Sequence, residues 1–263
     1  MSAKASNWIP RKRVLVIIGI ALAFAAAALV VGIWSPLGYL LFVPAFGAAW
    51  AAFVISRIRR QLSPAGGGWE SRIHAHVLSR LALAPDSRAS VLDIGCGDGS
   101  LIIALLARTP AANATGVDFW GANWDYAQSA CERRVSDLGL HAVFRRMDAS
   151  QLAYPDESFD AVVSVMCFHE VKAPRGAAMR GPLLAVSEAL RVLRPGGAFV
   201  LVDRFADISD YGDPADLAAV LRPAEALQRE PLVKALGIPW PLRSRRALGP
   251  VDMLSGRKAG RPV

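Results

Sequence analysis

The sequence predicts an α/β fold with a doubly wound, mostly parallel sheet, preceded by two transmembrane helices. Two uncharged apolar runs lie near the start of the 263-residue chain, and each has roughly the 20 residues that a helix needs to cross a bilayer. Farther along, short apolar segments alternate with stretches of helical spacing, which is typical of parallel strands covered by helices on both faces. A glycine-rich string follows the first of these strands and indicates a binding crevice at the strand's carboxyl end.

The two apolar runs cover residues 14–33 and 37–56, and a short turn of Trp34, Ser35 and Pro36 separates them. Lysine and arginine flank the outer ends of the pair and are absent from the turn. The positive-inside rule therefore predicts that both ends of this hairpin, and the domain that follows, face the cytoplasm. The predicted organisation is a hairpin anchor in the cell membrane over residues 1–60, a linker over 61–68 and a second domain over 69–263.

Two alternative interpretations of the anchor remain, a cleaved signal peptide and a hairpin buried in a soluble protein. The first run is long for the core of a signal peptide, and a second run of similar length follows it at once. Within that second run Pro44 is expected to kink the helix or to need local help with the carbonyl that it leaves unpaired.

The charge of the chain and its cysteine content indicate which binding partners and which metal or disulfide sites to expect. The net charge is +8 and the pI is about 9.9, with basic residues concentrated beside the apolar runs and near the C-terminus. Because no nucleic-acid-binding module accompanies them, membrane phosphates are the predicted partner and nucleic acid is not. The 3 cysteines are too widely spaced to suggest a disulfide framework or a zinc site, so no metal is expected. The oligomeric state stays open.

The second domain is predicted to begin with an amphipathic helix and to continue as alternating strands and helices. The predicted helices cover 69–83, 100–108, 124–138, 183–193 and 216–227. The predicted strands cover 90–94, 114–118, 142–146, 159–166 and 198–203, with two short terminal strands at 242–248 and 251–255.

The glycine string after the first strand distinguishes two classes of nucleotide ligand. A dinucleotide site typically has G-x-G-x-x-G, whereas Gly95, Gly97 and Gly99 form G-x-G-x-G with Asp98 in the turn. A carboxylate there would repel a pyrophosphate but tolerate a sulfonium and an ammonium group. The string therefore favours S-adenosylmethionine over NAD. Asp118, which ends the next strand, can accept hydrogen bonds from both ribose hydroxyls.

The chain from about residue 90 to 204 resembles the class I S-adenosylmethionine-dependent methyltransferases. Four elements in the family's order carry the resemblance: VLDIGCGDG at 91–99, DA at 148–149, LAYPDESFDAVV at 152–163 and EALRVLRPGG at 188–197. The resemblance implies a Rossmann-like sheet and S-adenosylmethionine as the cofactor. It also implies a set of cofactor-binding residues: Asp93, Gly95, Cys96, Gly97, Gly99, Asp118, Phe119, Asp148, Ala149 and Met166.

Within that set, the resemblance implies separate roles. The glycine string shapes the pocket for the methionine half of the cofactor, and Asp148 with Ala149 contacts the adenine. Either Phe119 or Trp120 packs on the adenine ring. Met166, with Cys167 beside it, flanks the sulfonium.

Candidate catalytic residues follow the fourth predicted strand, where the family places its substrate-side residues. They are His169 and Glu170, and Asp203 at the end of the next strand is a further candidate. A general base is needed only if the acceptor must lose a proton. Because no Asn-Pro-Pro-Tyr string follows the fourth strand, the methylation of DNA adenine or protein glutamine is not expected.

The predicted function is a membrane-anchored methyltransferase that acts on a small-molecule acceptor, lipophilic or resident in the membrane. Three alternatives remain: a non-catalytic, membrane-bound nucleotide-binding scaffold, an NAD-dependent oxidoreductase, and a methyltransferase whose hairpin places it beside a protein partner and a soluble acceptor.

Overall fold

The computed structural model describes residues 7–121 and 127–260. The described residues fall into two compact units. The first holds the chain up to Glu70 together with Trp240–Leu242, and the second holds the rest.

The first unit is built on two long helices. Helix α1 spans Arg11–Trp34, a 3-10 helix spans Pro36–Leu41, and helix α2 continues as Phe42–Leu62. Pro44 is the third residue of α2 and so lies in the first turn of that helix. The helix changes from 3-10 to α just before Pro44, so the missing N–H falls in a first turn where it needs no partner.

Both helices expose apolar side chains over most of their length. The segments Arg11–Trp34 and Pro36–Leu62 are long and apolar enough, by length and composition, to cross a membrane. The most exposed large apolar side chains among them are Leu15, Leu22, Ile33, Trp34, Leu37, Val43 and Phe46. A single 3-10 turn, Pro64–Gly66, lies in the predicted linker.

The remaining elements follow from Trp69 onward. The helices are α3 Trp69–Leu81, α4 Ser100–Arg108, α5 Gln128–Asp137, α6 Gly181–Val192, α7 Ile208–Tyr211, α8 Pro214–Val220 and α9 Leu232–Ala235. The strands are β1 Ser90–Ile94, β2 Asn113–Asp118, β3 Ala142–Arg146, β4 Phe159–Val165, β5 Leu193–Asp203, β6 Ala224–Pro231 and β7 Asp252–Lys258.

These strands form one seven-stranded sheet in the order β3-β2-β1-β4-β5-β7-β6. Strands β1 to β5 pair in parallel, whereas β7 runs antiparallel to both of its neighbours. The predicted α/β class with a mostly parallel sheet is confirmed. The strand order reverses at β1, so the crevice beyond the carboxyl ends of β1 and β4 is the expected ligand site of such a sheet.

The sheet has this form because its central strands are apolar on both faces. In β4, Ala161, Val162 and Val163 are buried in succession, as a strand covered by helices on both sides requires. Helix α6 contributes Val186 and Leu190 at helical spacing to the same core.

Three of the predicted elements need correction. The helix expected at 216–227 is wrong in its second half, because α8 ends at Val220 and residues 224–231 form the edge strand β6. The strand expected at 242–248 is wrong, since those residues form turns. The helix expected at 124–138 is observed as Gln128–Asp137, and residues 122–126 lie outside the described part of the chain.

Candidate active site

The loop between β1 and α4 approaches the end of β4 so closely that only glycine fits. Gly95, Gly97 and Gly99 have φ angles of 76°, 55° and 78°, in the left-handed region. A Cβ added to Gly95 would lie 2.3 Å from both Cβ and Sγ of Cys167. The three glycines form a tight turn, and Gly95 lies directly against Cys167, in the segment that follows β4.

Two side chains from neighbouring segments fix the loop in place. The indole Nε1 of Trp120 donates to the carbonyl oxygen of Gly97 at 2.8 Å, and the Cys131 thiol donates to the same oxygen at 3.1 Å. Trp120 is thus held against the loop, whereas the Phe119 ring is 59% exposed and lies 5.0 Å from the Arg146 guanidinium. Of the two predicted adenine platforms, Phe119 is therefore the more exposed, although the Arg146 guanidinium lies over its ring.

Two carboxylates lie beside the loop in low-dielectric surroundings. Asp93 is 2% exposed, and its Oδ2 has no hydrogen-bond partner among the described residues. Burial raises the pKa of Asp93 well above its usual value, and the charges of Asp118 and Asp98 raise it further. Burial also raises the pKa of Asp118, against backbone hydrogen bonds that lower it. An added cation would stabilise the ionised forms of both groups, so the site fits a sulfonium and an ammonium group.

Asp118 supports the loop and still has acceptor capacity for a ligand. Its Oδ2 accepts a hydrogen bond from the Gly97 N–H at 2.9 Å, and its Oδ1 accepts one from the Trp120 N–H at 2.7 Å. Each carboxylate oxygen has a further lone pair, as the predicted contact with the ribose hydroxyls requires.

The electrostatic argument drawn from Asp98 needs correction. Its carboxylate forms an ion pair with Arg134 of α5, and Arg134 also donates to the Asp98 carbonyl oxygen at 2.7 Å. Asp98 in addition accepts hydrogen bonds from the N–H and hydroxyl of Ser100 at the start of α4. Its charge is therefore largely compensated, and Asp93 and Asp118 supply the negative charge that favours a cationic ligand.

Cys96 lies in the loop, but its side chain packs on β2. The thiol is buried, and a Cβ added to Gly116 would lie 2.8 Å from its Sγ. The N–H groups of Gly95 and Cys96 both donate to the carbonyl oxygen of Val117, which ties the loop to β2. Burial raises the pKa of the Cys96 thiol well above its usual value, so the group stays protonated.

The segment after β3 lies next to Asp118. The N–H of Met147 donates to the Asp118 carbonyl oxygen at 3.0 Å. The carboxylate of Asp148 accepts hydrogen bonds from the N–H and hydroxyl of Ser150 at 2.8 and 2.7 Å, which fixes its orientation. The structure thus brings Asp148 and Ala149 to the same edge of the sheet as Asp118 and Phe119.

Met166 lies where β4 ends and has a φ of 56°, in the left-handed region that is uncommon for a residue with a side chain. Its N–H donates to the carbonyl oxygen of Val202 at 2.8 Å, which holds the bend against β5. The bend directs the chain into Cys167, the residue that contacts Gly95.

His169 lies in a short 3-10 helix, Phe168–Glu170, just beyond that bend. Its Nδ1 is 2.8 Å from Oδ1 of Asp203, and its backbone N–H donates to the other oxygen of Asp203 at 3.3 Å. Asp203 is 1% exposed and also accepts from the N–H of Arg204. Since the carboxylate accepts from Nδ1, Nε2 is the ring nitrogen that remains for a substrate.

Burial acts to lower the pKa of His169, but the hydrogen bond and charge of Asp203 outweigh it, and the net pKa is raised. Glu170 contributes in the same direction, with Oε1 4.0 Å from Nε2 of His169 and a side chain that is 51% exposed. The sequence suggested His169 and Asp203 as separate candidates, and it contained no signal that the two form a pair.

Tyr211 is a site residue that the sequence did not suggest. Its hydroxyl is buried without a hydrogen-bond partner among the described residues, and its ring packs at 5.1 Å on Phe205. Burial raises the pKa of Tyr211 strongly, and the nearby charge of Asp203 raises it further. Tyr211 lies on the short helix α7, and no motif in the sequence marks it.

Comparisons with known proteins concern the domain that carries this site. Residues 92–201 match the model of a family described as "Methyltransferase domain". Phosphatidylethanolamine N-methyltransferase of Cereibacter sphaeroides is 37% identical over 132 residues, which are 49% of this chain and 55% of that protein. Fatty-acid O-methyltransferase of Mycolicibacterium smegmatis is 35% identical over 113 residues, 43% of this chain and 36% of that protein. The chain therefore spans about half the length of the curated relatives that it matches.

Solved structures show the same fold. Geranyl diphosphate C-methyltransferase from Streptomyces coelicolor, solved with S-adenosyl-L-homocysteine, superposes with a TM-score of 0.54 at 13% identity, over 74% of this chain and 81% of that chain. The [4+2]-cyclase SpnF superposes with a TM-score of 0.53 at 19% identity, over 74% and 83%. Residues 92–201 therefore form a methyltransferase domain, and its sequence relatives support the class I type with S-adenosylmethionine as the cofactor.

Proposed function

We propose that this protein transfers a methyl group from S-adenosylmethionine to a small lipophilic acceptor in the membrane, with His169 as the general base. The observation that carries the proposal is the contact between the glycine loop and the segment bearing the base. Gly95 lies against Cys167, and two residues later His169 is held by Asp203. A cofactor bound on the loop would therefore lie near the one imidazole at this edge whose Nδ1 is fixed by a carboxylate.

The cofactor supplies an electrophilic methyl group on a sulfonium. In the proposed arrangement Asp93 and the glycine loop bind the methionine half, and Asp118 accepts hydrogen bonds from the ribose. Phe119, Asp148 and Ala149 surround the adenine, and Met166 lies beside the sulfonium. Because Asp93 and Asp118 are poorly solvated, a cation between them stabilises their ionised forms and is bound in return.

His169 would take the proton that the acceptor loses on methylation. Asp203 holds Nδ1 and stabilises the positive charge that the ring acquires. The thiols of Cys96 and Cys167 do not compete as bases, since burial raises the pKa of both well above the usual value. Glu170, about half exposed at 4.0 Å from Nε2, would stabilise the protonated ring.

A lipophilic acceptor is proposed on two grounds. The helices α1 and α2 are long and apolar enough to cross a membrane, and they would hold the domain at the headgroup layer, where the local concentration of a lipid substrate is high. The names of the relatives refer to a phospholipid, a fatty acid and a quinone precursor. The basic flanks of the hairpin favour a cytoplasmic position for the domain.

Cofactor binding is the first test. We expect the full chain in a mild non-ionic detergent to bind S-adenosylhomocysteine in isothermal titration, and Asp118→Ala to weaken that binding at least tenfold. Asp86→Ala, an exposed carboxylate in the turn before β1, is the matched control and should leave the affinity unchanged. Absence of any affinity in the wild-type chain, or preferential binding of NAD, would refute the proposal.

Methyl transfer is the second test. Labelled S-adenosylmethionine and a total lipid extract should give a labelled lipid with the wild-type chain and far less with His169→Gln. Cofactor binding without transfer to lipid or to soluble extract would instead favour a non-catalytic scaffold. Transfer confined to the soluble extract would refute the lipophilic acceptor.

A further inference from the structure

A cavity of about 500 Å³ opens beyond the end of β5, at the same edge of the sheet as His169. Asp203 ends β5 and pairs in register with Asp252, the first residue of β7. The cavity is lined on one side by Asp207 and Ile208, a few residues after Asp203, and on the other by Pro250, two residues before Asp252. A ligand in this cavity would therefore lie beyond the strand end that carries Asp203, the partner of His169.

Two arginines give the cavity its charge. Arg243 and Arg245 both line it, both are exposed, and neither forms an ion pair with any residue that the structure describes. Asp207 is the one carboxylate in the lining, and it caps α7 by accepting hydrogen bonds from the N–H and hydroxyl of Ser209. These hydrogen bonds lower the pKa of Asp207, and the charges of Arg204 and Arg245 lower it further, so Asp207 offsets part of the positive charge in the cavity. Two guanidinium groups on one concave surface are a suitable donor set for a phosphate, because each can donate to two of its oxygens.

A second cavity, of about 560 Å³, shares Arg243 and Pro250 with the first. It adds one cation, Lys234, and an apolar wall that includes Val233 and Ile238. The one carboxylate in its lining, Asp252, forms an ion pair with Arg229 and therefore neutralises little of the charge of Lys234. The two cavities together offer a cationic surface that continues into an apolar one.

This pairing of charge and apolar surface matches an amphiphile better than a free anion. Each volume lies in the range of small-molecule sites, roughly 300–1,000 Å³. Ile208, at the rim of the first cavity, is a large apolar side chain that is 69% exposed. An exposed isoleucine in the lining that also holds the two arginines would be covered by the hydrocarbon part of such a ligand.

We infer that the methyl acceptor is an anionic amphiphile whose phosphate group binds to Arg243 and Arg245, with its apolar part against Ile208 or the wall at Val233 and Ile238. The inference rests on the proposed function and specifies the chemistry of its acceptor. It assigns recognition to residues outside the family's cofactor motifs, in a part of the chain beyond the family match at 92–201.

Hexyl phosphate is the probe that tests this inference. Inorganic phosphate and hexanol are the comparison ligands, and each represents one half of the probe. The full chain in non-ionic detergent should bind hexyl phosphate at least tenfold more weakly in the double variant Arg243→Gln/Arg245→Gln. The matched control is Arg88→Gln/Arg222→Gln. Those two arginines are also exposed but precede β1 and β6, at the opposite edge of the sheet, and their replacement should change nothing. Arg245→Gln alone should weaken binding about threefold.

The wild-type chain should bind inorganic phosphate more weakly than hexyl phosphate. Its affinity for hexanol should be the same as that of the Arg243→Gln/Arg245→Gln variant. Equal effects of the two double variants would overturn the inference, and so would inorganic phosphate binding as tightly as hexyl phosphate. Titration of each sample with S-adenosylhomocysteine keeps the two proposals apart. If the wild-type chain does not bind S-adenosylhomocysteine, the proposed function is refuted. If it binds S-adenosylhomocysteine but the arginine substitutions leave hexyl phosphate binding unchanged, only the phosphate site is refuted.

Discussion

At the scale of single residues, the basicity of His169 depends on one neighbouring carboxylate. Burial lowers its pKa, and the hydrogen bond and charge of Asp203 raise it by more. In Asp203→Asn the lowering effect of burial would prevail, so the pKa of His169 would fall. Since the neutral ring is the active base, we expect the acid limb of the kcat/KM profile to move to lower pH, while the plateau falls by about 10²-fold or more.

The pH profile separates this positioning role from a merely structural one. Glu170→Gln should move the same limb in the same direction by a smaller amount, because Glu170 also raises the pKa of His169. A lower rate in Asp203→Asn with an unmoved acid limb would mean that Asp203 supports the fold and does not tune the base.

His74 on α3 links folding stability to pH. It is 5% exposed, and burial lowers its pKa to about 4, against a weaker opposing effect of Asp98. The unfolded chain takes up this proton near pH 6.5 and the folded chain only near pH 4, so stability is full above pH 6.5 and falls as the pH drops through that window. The difference corresponds to about 3 kcal/mol.

We therefore expect denaturant unfolding of the full chain in detergent to show a fall in stability between pH 7 and pH 4.5, and His74→Gln to show a smaller fall. His141→Gln, which replaces an exposed histidine, is the control and should keep the wild-type slope. Identical slopes in the two variants would contradict the assignment to His74.

The residues of the site differ in how far the sequence could reveal them. The glycine string and Asp118 are close in sequence to a strand end, so spacing alone identifies them. The pairs His169–Asp203 and Asp98–Arg134 join positions about 35 residues apart. The first forms because parallel strands bring their carboxyl ends to one edge, and the second because helix α5 packs beside the loop after β1. Single-sequence spacing does not contain that information.

At the scale of elements, β4 and the second half of β5 were predictable because buried parallel strands are continuous apolar runs. The edge strand β6 was not, because its side chains are mostly exposed and its sequence, AEALQREP, is typical of a helix surface. It is a strand because its backbone pairs with β7, whose first four residues are buried, and this is a tertiary effect. The 3-10 geometry of Pro36–Leu41 was not predicted for a related reason, since composition does not separate 3-10 from α geometry.

The glycine loop as an element can be tested by adding one methyl group. Gly95→Ala would place a Cβ 2.3 Å from the Cys167 side chain and would also force alanine into the left-handed region. We expect S-adenosylhomocysteine affinity to fall at least tenfold, because the loop or the end of β4 must move.

Gly139→Ala is the matched control for that substitution. It has a comparable φ of 66° but open space around the added methyl group. It should lose about 1 kcal/mol of stability from the left-handed conformation alone and leave the affinity unchanged. If both variants bound the ligand equally well, the contact with Cys167 would not define the pocket.

At the scale of the whole molecule, the chain joins an apolar helical unit to a seven-stranded α/β unit. Composition alone indicated this division, because nearly all of the long uncharged apolar sequence precedes Arg57. The side of the membrane on which the second unit works depends on a different property, the lysines and arginines that flank the helices. In the proposed topology these charges keep both ends of the hairpin in the cytoplasm, and the turn between the helices lies on the other side.

Cysteine labelling in intact cells tests that arrangement. Ser35→Cys, in the turn between α1 and α2, should react with a membrane-impermeant maleimide added from outside, since a hairpin with both ends in the cytoplasm exposes its turn on the other side. Arg88→Cys, at an exposed position of the α/β unit, should react only after the cells are permeabilised. The native thiols at Cys96 and Cys131 are buried and Cys167 is half-buried, so the unmodified chain gives the background. Labelling of both positions from the same side would mean that the hairpin does not cross the bilayer, and the catalytic unit would then need another route to a lipid acceptor.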